Sequence, residues 1–439
     1  MKITPETERR IFIASAGAAV FALGALAGAF NTPAHAVITK AGELAGDFRR
    51  NGLAYLGIRP TGHLEPLRYA PNERLRIDTA RMQPGVTFVT GLFGDTLGAR
   101  LYAADGSLLH EWPVDFFKLY PDKMKYKYGA LIHGDHLYPN GDILINVDSK
   151  GMARVSACGE IIWKNEFSTH HAIDIDDEGF IWTPQSPKSY DEPRLLAGRF
   201  SFDRVAKYDP DTGKRLELID LVEVLTDAGL EGVALSNAPR AYDVMHLNDV
   251  EILNASMADA FPMFSAGDIM LSSRNLNQLW VLDGKTHALK WWRTGPMHGQ
   301  HDPDFQPDGS ITLLDNRAGA PAAKENGFMG DRGGSRIIAL NPADYGYKTV
   351  YASDARNKFY TAYRGKHQIL ANGDILITET DAGRVFEATP GGDIVWELIN
   401  PYDDKSAGWV MSATRFPESY ADIGKTCPAR NQGPDQNAK

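Results

Sequence analysis

The chain has 439 residues, of which 43% are hydrophobic and 10% aromatic, enough to bury one large core or two medium ones without staples. Its formal net charge is -10, and the body of the sequence carries no run of like charge. The concentrated basic face that phosphate binding requires is missing, which argues against a nucleic-acid partner and for an acidic, solvated surface.

At the N-terminus, Arg9 and Arg10 precede a run from Ile11 to Phe30 with no charged residue, and Ala34-His35-Ala36 follows as an A-x-A cleavage signature. The context Thr7-Glu8-Arg9-Arg10-Ile11-Phe12-Ile13 looks like a twin-arginine export signal. The uncharged run is long for a cleaved signal and just long enough to span a bilayer. Residues 1–36 are therefore read as either a signal peptide or a transmembrane anchor, residues 11–30 being the membrane segment. Both alternatives put the body in the periplasm or another extracytoplasmic space. Residues 37–82 are read as an extended linker or wrapping segment, too short for an independent sandwich domain.

From about residue 83 the chain becomes a series of short apolar runs broken by Gly, Asn and Asp turns at hairpin spacing, the signature of an all-β domain. One phrase recurs as Gly141-Asp142-Ile143-Leu144-Ile145, Gly267-Asp268-Ile269-Met270-Leu271 and Gly373-Asp374-Ile375-Leu376-Ile377, with Gly309-Ser310-Ile311-Thr312-Leu313 a looser copy. A second phrase ends a unit, as Gly159-Glu160-Ile161-Ile162-Trp163 and Gly392-Asp393-Ile394-Val395-Trp396, with Gly106 to Trp112 a longer version. Four antiparallel strands per unit make a propeller blade. Blades are expected near residues 84–115, 131–167, 170–221, 246–295, 300–352 and 366–401, a six-bladed β-propeller within residues 83–420, with 421–439 as a tail. Trp409 to Phe416 is expected to close the ring by adding a strand to the first blade.

Two insertions stand out, Lys188 to Phe200 and Leu221 to Tyr242, the second reading as a short helix. The Gly-rich stretch from Ala318 to Gly334 reads as a flexible loop. The acidic turns at Asp174–Gly179 and Asp209–Gly213 lack the bidentate Glu of a calcium loop and are read as hairpin turns. Cys158 and Cys427, the only two cysteines, suit an oxidising compartment, and one disulfide between them would pin the tail to an early repeat; two free thiols are the alternative.

Among twelve histidines, His133, His171 and His301 each stand eight residues before the turn glycine of their unit, Gly141, Gly179 and Gly309. If the first strand of each blade lines the central channel, equal offsets set these imidazoles at one height around its mouth. His246 opens the fourth unit, with an insertion lengthening its distance to Gly267, and His367 opens the sixth, two residues out of step. Single histidines on inner strands are often buried imidazoles bonded to backbone. Repetition in three units favours a shared site instead. No metal is expected, because histidines from separate blades should stand too far apart to ligate one zinc ion.

Gly299-Gln300-His301-Asp302, the following Gly309 to Asn316, His246-Leu247-Asn248-Asp249, Leu271-Ser272-Ser273-Arg274 and the closing Ala413-Thr414-Arg415-Phe416-Pro417 together resemble the bacterial arylsulfate sulfotransferase family. The resemblance covers roughly residues 84–420. It implies a six-bladed propeller that moves a sulfuryl group from an aryl sulfate to a phenol by a ping-pong route through a sulfated histidine, with no cofactor and no nucleotide donor. By resemblance the nucleophile falls on His301, and His171, His246, Asn248 and Arg274 match sulfate-binding and acid/base positions. His133, Asn316 and His367 are added as candidate substrate-binding or channel residues. The residue types suit this chemistry, since a neutral imidazole attacks without a strong base and an arginine fork holds sulfuryl oxygens. Arg274 has a structural alternative, an ion pair with Asp268 or Asp249, and Asn248 has one as a turn cap.

Periplasmic relatives of this kind carry an N-terminal β-sandwich that helps them dimerise. Residues 37–82 cannot make one, so the oligomeric state stays open, as do donor and acceptor. The insertion after Asn248 is expected near the acceptor side. Two other classes compete: a calcium-dependent hydrolase or lactonase, for which inner-strand histidines are poor ligands, and a non-catalytic binding propeller, against which the equal offsets count.

Overall fold

The computed structural model describes residues 33–69, 75–190, 200–232, 243–318 and 332–427. The chain divides into two compact units, residues 1–62 and 63–439. Within the described part of the first unit runs one helix, α1 (Pro33–Tyr55), which includes Ala34 to Ala36. The apolar run 11–30 lies outside the described residues, and among those described no helix is long and apolar enough to cross a membrane.

The second unit is mainly β. It opens with two short strands inside the stretch read as a linker or wrap, β1 (Leu64–Pro66) and β2 (Leu75–Ile77). Blade 1 contains β3 (Val86–Phe93), β4 (Thr96–Tyr102) and β5 (Leu108–Glu111); blade 2 is β6 (Ile132–Leu137), β7 (Ile143–Val147), β8 (Gly151–Val155) and β9 (Ile161–Lys164). Blade 3 is β10 (Asp174–Ile175), β11 (Ile181–Tyr190), β12 (Phe200–Tyr208) and β13 (Arg215–Asp220), followed by α2 (Leu221–Ala228), the short helix expected in the second insertion. Blade 4 is β14 (Leu247–Ile252), β15 (Ile269–Ser273), β16 (Gln278–Leu282) and β17 (Leu289–Thr294), with the one-turn helix α3 (Ala255–Ala258) between its first two strands. Blade 5 is β18 (His301–Phe305), β19 (Ile311–Asp315), β20 (Arg336–Leu340) and β21 (Tyr347–Ala352); blade 6 is β22 (Lys366–Ile369), β23 (Ile375–Glu379), β24 (Arg384–Ala388) and β25 (Ile394–Ile399). After β26 (Ser406–Gly408), which pairs with β1, the strand β27 (Val410–Phe416) pairs with β3 and becomes the innermost strand of blade 1. Six sheets in sequence order, closed by a strand from the other end of the chain, make the six-bladed propeller. The strand β2 adds a fifth, outer strand to blade 6.

The second strands β7, β15, β19 and β23 are buried along their whole length. Each is packed on both faces by neighbouring blades, so it reads as a continuous apolar run rather than an alternating one. The apolar clusters lie between blades: Trp182, Leu247 and Trp280 join blades 3 and 4, Met270, Phe305 and Ile338 join 4 and 5, and Val89, Val385 and Trp396 close 6 onto 1. The unit-ending tryptophans have a polar role as well. Trp112 Nε1 donates to the Gly141 carbonyl at 2.9 Å, Trp163 to Pro210 at 2.9 Å, Trp291 to Pro342 at 3.2 Å and Trp396 to Ala104 at 2.9 Å. Each bond runs from an outer strand to the next blade, so the recurring Trp latches the ring at about 0.5–1.5 kcal/mol per bond.

Cys158 and Cys427 form a disulfide that ties the tail to the turn between β8 and β9. A disulfide suits an extracytoplasmic chain. The insertion after Asn248 is placed differently from expectation. It connects the end of β14 to the start of β15, and the register runs from Leu247 opposite Ser273 to Ile252 opposite Ile269. The insertion therefore sits at the far end of the blade from Asn248, where Phe261 and Phe264 pack into the core between blades 4 and 5. Most of the Gly-rich stretch 318–334, and residues 191–199 of the first insertion, lie outside the described residues.

Candidate functional site

One end of the central channel opens into a cavity lined by His133, His171, Asn248, His301, Arg364 and Lys366, together with Ala172, Asp249, Asp302, Gly365 and Met411. All lie at the start of an inner strand or just before it. A repeated backbone device aims them. The inner strands β6, β14, β18 and β27 each carry one extra residue against their partner: His133 falls between the pairs Ile132–Val147 and Gly134–Asn146, Asn248 between Leu247–Ser273 and Asp249–Ser272, and Met411 between Val410–Gly91 and Ser412–Thr90. In β18 the extra residue lies between His301–Leu314 and Asp304–Thr312. A β-bulge re-aims the side chain it inserts, here toward the channel. Three non-glycine residues at the mouth are left-handed, His171 at φ 55°, His246 at 50° and Asp302 at 57°. Such a conformation costs roughly 1–2 kcal/mol each and persists only where the surroundings fix it. Glycine permits the close approach of blades 2 and 3: a Cβ on Gly134 would stand 2.1 Å from the His171 carbonyl oxygen.

His301 is 6% exposed, and its hydrogen bonds define its tautomer. Asn316 Nδ2 donates to the carbonyls of Thr361 at 2.9 Å and Arg364 at 2.8 Å, which uses both of its N–H groups. Asn316 Oδ1, 2.7 Å from His301 Nδ1, can then only accept, so Nδ1 carries the hydrogen. The Gly299 carbonyl at 3.1 Å accepts from the same nitrogen. Nε2 is left with its lone pair, buried and with no hydrogen-bond partner. Burial holds the His301 pKa well below that of a free imidazole, and the neighbouring Arg274 charge adds to the effect. The ring is a neutral base with its lone pair exposed to the cavity.

The other imidazoles gather beside it. His133 and His171 stack with ring centroids 4.0 Å apart, and His171 meets His246 edge to face at 5.0 Å. They are closer than the sequence reading allows, because blades 2, 3 and 4 are consecutive and the bulges turn their side chains toward one another. Donor atoms of His133, Asp148 and His171 come within 4.8 Å of one another, as do those of Asp302, Asp304 and His367. In both sets two of the donors already bond each other, His133 Nδ1 to Asp148 at 2.9 Å and His367 Nδ1 to Asp302 at 3.1 Å. Burial lowers the His133 pKa although Asp148 opposes it, while His171 is held well below its usual value by burial and by four neighbouring imidazoles. His170, absent from the sequence reading, lies 2.8 Å from His171, Nδ1 to Nδ1. Burial works against charge on His170, but its Asp203 partner at 3.5 Å outweighs this and its pKa stands above the usual value. His246 Nδ1 donates to Asp243 Oδ2 at 2.7 Å, leaving Nε2 free for proton transfer. Thus His133 and His246 lean on carboxylates, which stabilise an imidazolium, whereas His301 leans on an amide, which does not.

Asn248 lines the cavity, with Nδ2 donating to the Gln300 carbonyl at 2.6 Å and Oδ1 buried without a hydrogen-bond partner. Arg274 begins the turn after β15, its backbone N–H bonded to the His246 carbonyl at 3.1 Å and its guanidinium 5.1 Å from the Tyr363 ring centre. Asp268, offered as a structural partner for Arg274, pairs instead with Lys290 at 2.7 Å. Neither His246 nor Arg274 is among the residues that line the cavity, His246 meeting it through the His171 ring and Arg274 through its charge on His301, and two further candidates fall elsewhere. Asn316 does not reach the cavity; it stands behind His301 as the group that orients it. His367 is buried below the mouth, its Nδ1 on Asp302 and its Nε2 2.8 Å from Thr312 Oγ1, because its offset of six rather than eight residues from Gly373 drops it down the strand.

Arg364 and Lys366 were not found by sequence. The missing signal was the slot eight residues before Gly373, which holds Gly365 and is flanked by these two cations. Lys366 is paired with Asp302 at 2.8 Å. The carboxylates Asp148 and Asp243, which orient His133 and His246, were also missed.

A family model described as arylsulfotransferase (ASST) matches residues 135–401. No curated protein matches the chain. Among solved structures it is similar to a protein of unknown function from Bacteroides caccae, with 12% identity, TM-score 0.46, and 75% of this chain and 98% of that one covered. A protein of unknown function from Desulfotomaculum acetoxidans is similar at 10% identity and TM-score 0.42, with 76% and 100% covered. A chain of the nidogen/laminin complex is similar at 11% identity and TM-score 0.44, with 76% and 100% covered.

Proposed function

Because the chain belongs to the arylsulfotransferase family, whose membership implies aryl sulfate sulfotransferase activity, we propose that it moves a sulfuryl group from an aryl sulfate ester to a phenol through a sulfated His301. In the first half-reaction the Nε2 lone pair forms the N–S bond as the S–O bond to the aryl group breaks. The aryloxide leaves with that electron pair and takes the Nε2 proton of His246 in its imidazolium form, whose Nδ1–H stays on Asp243, so that His246 is left neutral with a lone pair on Nε2. In the second, His246 takes the proton of an incoming phenol, its oxygen attacks sulfur, and the N–S bond returns its pair to His301. Arg274 and the histidines His171 and His133 hold the sulfuryl oxygens, and Asn248 Oδ1 orients the phenolic O–H. Neutral His301 suits attack on sulfur, and a carboxylate-backed His246 suits proton transfer; general acid/base help of this kind is worth about 10²–10⁴.

The observation that carries this reading is the fixed tautomer of His301: Nδ1 is anchored on Asn316 and an unbonded Nε2 shares the cavity of His133, His171 and Asn248. Export by residues 1–36 to the periplasm fits the disulfide and belongs to the same proposal, with residues 83–420 as the catalytic propeller. His301→Asn is expected to abolish transfer from p-nitrophenyl sulfate to a phenol while leaving the unfolding midpoint unchanged. Full transfer by this variant contradicts the assignment.

A further inference from the structure

Arg364 is a cation without a counter-ion among the described residues. Its side chain makes no ion pair or hydrogen bond among the described residues, its Nε is buried with no partner, and its guanidinium carbon lies 4.1 Å over the ring of Trp409. Asp381, Asp148 and Glu65 act on it only at a distance, and burial holds its pKa below that of a free guanidinium. A half-buried guanidinium whose Nε is enclosed and unbonded is unfavourable unless an anion joins it. The backbone around it is nevertheless closely fixed. The Arg364 carbonyl is held by Asn316 Nδ2 at 2.8 Å, the same amide that orients the nucleophile. Gly365, at φ 111°, admits no Cβ, since one would stand 2.7 Å from Leu314 Cδ2 and 2.9 Å from the Thr378 carbonyl oxygen. The other cation of the cavity wall, Lys366, is already neutralised by Asp302.

We infer that Arg364 is a second arginine of the sulfuryl site, which binds the oxygens of the transferring group together with Arg274. The inference rests on the sulfotransferase reading but adds a residue that the family resemblance did not supply. The two guanidiniums act on different histidines: the Arg274 charge bears on His301, and the Arg364 charge on His133. A sulfuryl group has three oxygens to hold while its bond to the aryl oxygen breaks and the bond to Nε2 forms. Two planar forks from separate blades hold them without moving, the preorganisation that makes such donors effective. The indole under Arg364 keeps its fork from swinging into solvent.

The test uses the whole protein with Arg364→Gln and Arg364→Lys, inorganic sulfate as the binding probe and p-nitrophenyl sulfate as donor. The Gln variant is expected to bind sulfate at least about tenfold more weakly by calorimetry and to lose about 10²–10³ in kcat, as when one oxyanion donor is removed. Lysine should restore only part of the loss, since it offers a point charge and no fork. Sulfate binding and kcat within twofold of wild type in the Gln variant overturn the inference and leave the sulfotransferase reading standing. Arg364-dependent sulfate binding in a wild type that transfers no sulfuryl group sinks that reading and keeps the anion site. If the variants fail to fold, phenylglyoxal labelling of Arg364 in the wild type decides: protection by sulfate supports the site, and labelling unaffected by sulfate overturns it.

Discussion

Replacing Arg274 with glutamine separates two contributions of that arginine, and pH reads one of them. Burial and the Arg274 charge both hold the His301 pKa well below the ordinary value near 6.5, so the attacking lone pair stays free as the solution is acidified. An ordinary imidazole is only about one quarter neutral at pH 6. The first half-reaction of the wild type should therefore run at pH 6 within about twofold of its rate at pH 8, where an unperturbed histidine would lose about fourfold. A nitrophenyl leaving group needs little protonation, so the pre-steady-state burst of nitrophenol, read at its isosbestic wavelength, isolates the nucleophile. Arg274→Gln is expected to slow the burst at pH 8 by about 10²–10³ through loss of a sulfuryl donor. It should also move the acid limb of the profile to higher pH, because a repelling charge has gone and His301 protonates more readily. A wild-type burst that is half-maximal near pH 6.5, or an acid limb that stays or moves down in the variant, would refute the reasoning.

Asn316→Ala frees the His301 ring and leaves two loop carbonyls without their donor, so kcat should fall by about 10² or more, up to the roughly 10⁴ known for a misoriented catalytic histidine, with little change in KM. A steady-state comparison that shows kcat retained would remove the tautomer argument. Cys158→Ser opens a closure spanning 269 residues and should lower the stability by about 2–5 kcal/mol in urea, with the variant indifferent to reducing agent; equal stability of wild type and variant contradicts this. His63 is buried, and desolvation lowers its pKa to about 4 despite its bond to the Ala130 carbonyl. The unfolded chain takes up a proton there below pH 6.5 and the folded chain does not until about 4. Stability is thus fully present above pH 6.5 and declines between these values, by on the order of 2 kcal/mol at pH 5. His63→Phe should flatten that part of the stability profile, and an unchanged slope in the variant would assign it elsewhere.

The blades were legible because their signals are local. A turn glycine at φ 85° in Gly141 or 87° in Gly373 sits next to a fully buried strand, and both leave a mark in consecutive residues. The closing strand was legible as an apolar run with no partner of its own. His133, His171 and His301 were found by equal offsets because a propeller repeats its inner strand at constant height. What stayed hidden depends on pairing between strands. The bulges at His133, Asn248 and Met411, the left-handed backbone of His171 and Asp302, and the carboxylates behind His133 and His246 all follow from register and approach, which no single stretch encodes. His367, two residues out of step with the other three, lies lower on its strand, and Arg364 was missed because the in-step position of its blade is a glycine.

Intact-mass spectrometry of the wild type and His301→Asn, after brief mixing with an aryl sulfate and no acceptor, tests the sulfated-histidine route most directly. The wild type should gain the mass of one SO₃ group, located on the peptide that contains His301 and discharged by added phenol, while the variant gains nothing. An adduct on another residue, an adduct undiminished in the variant, or turnover with no adduct at any time would contradict it.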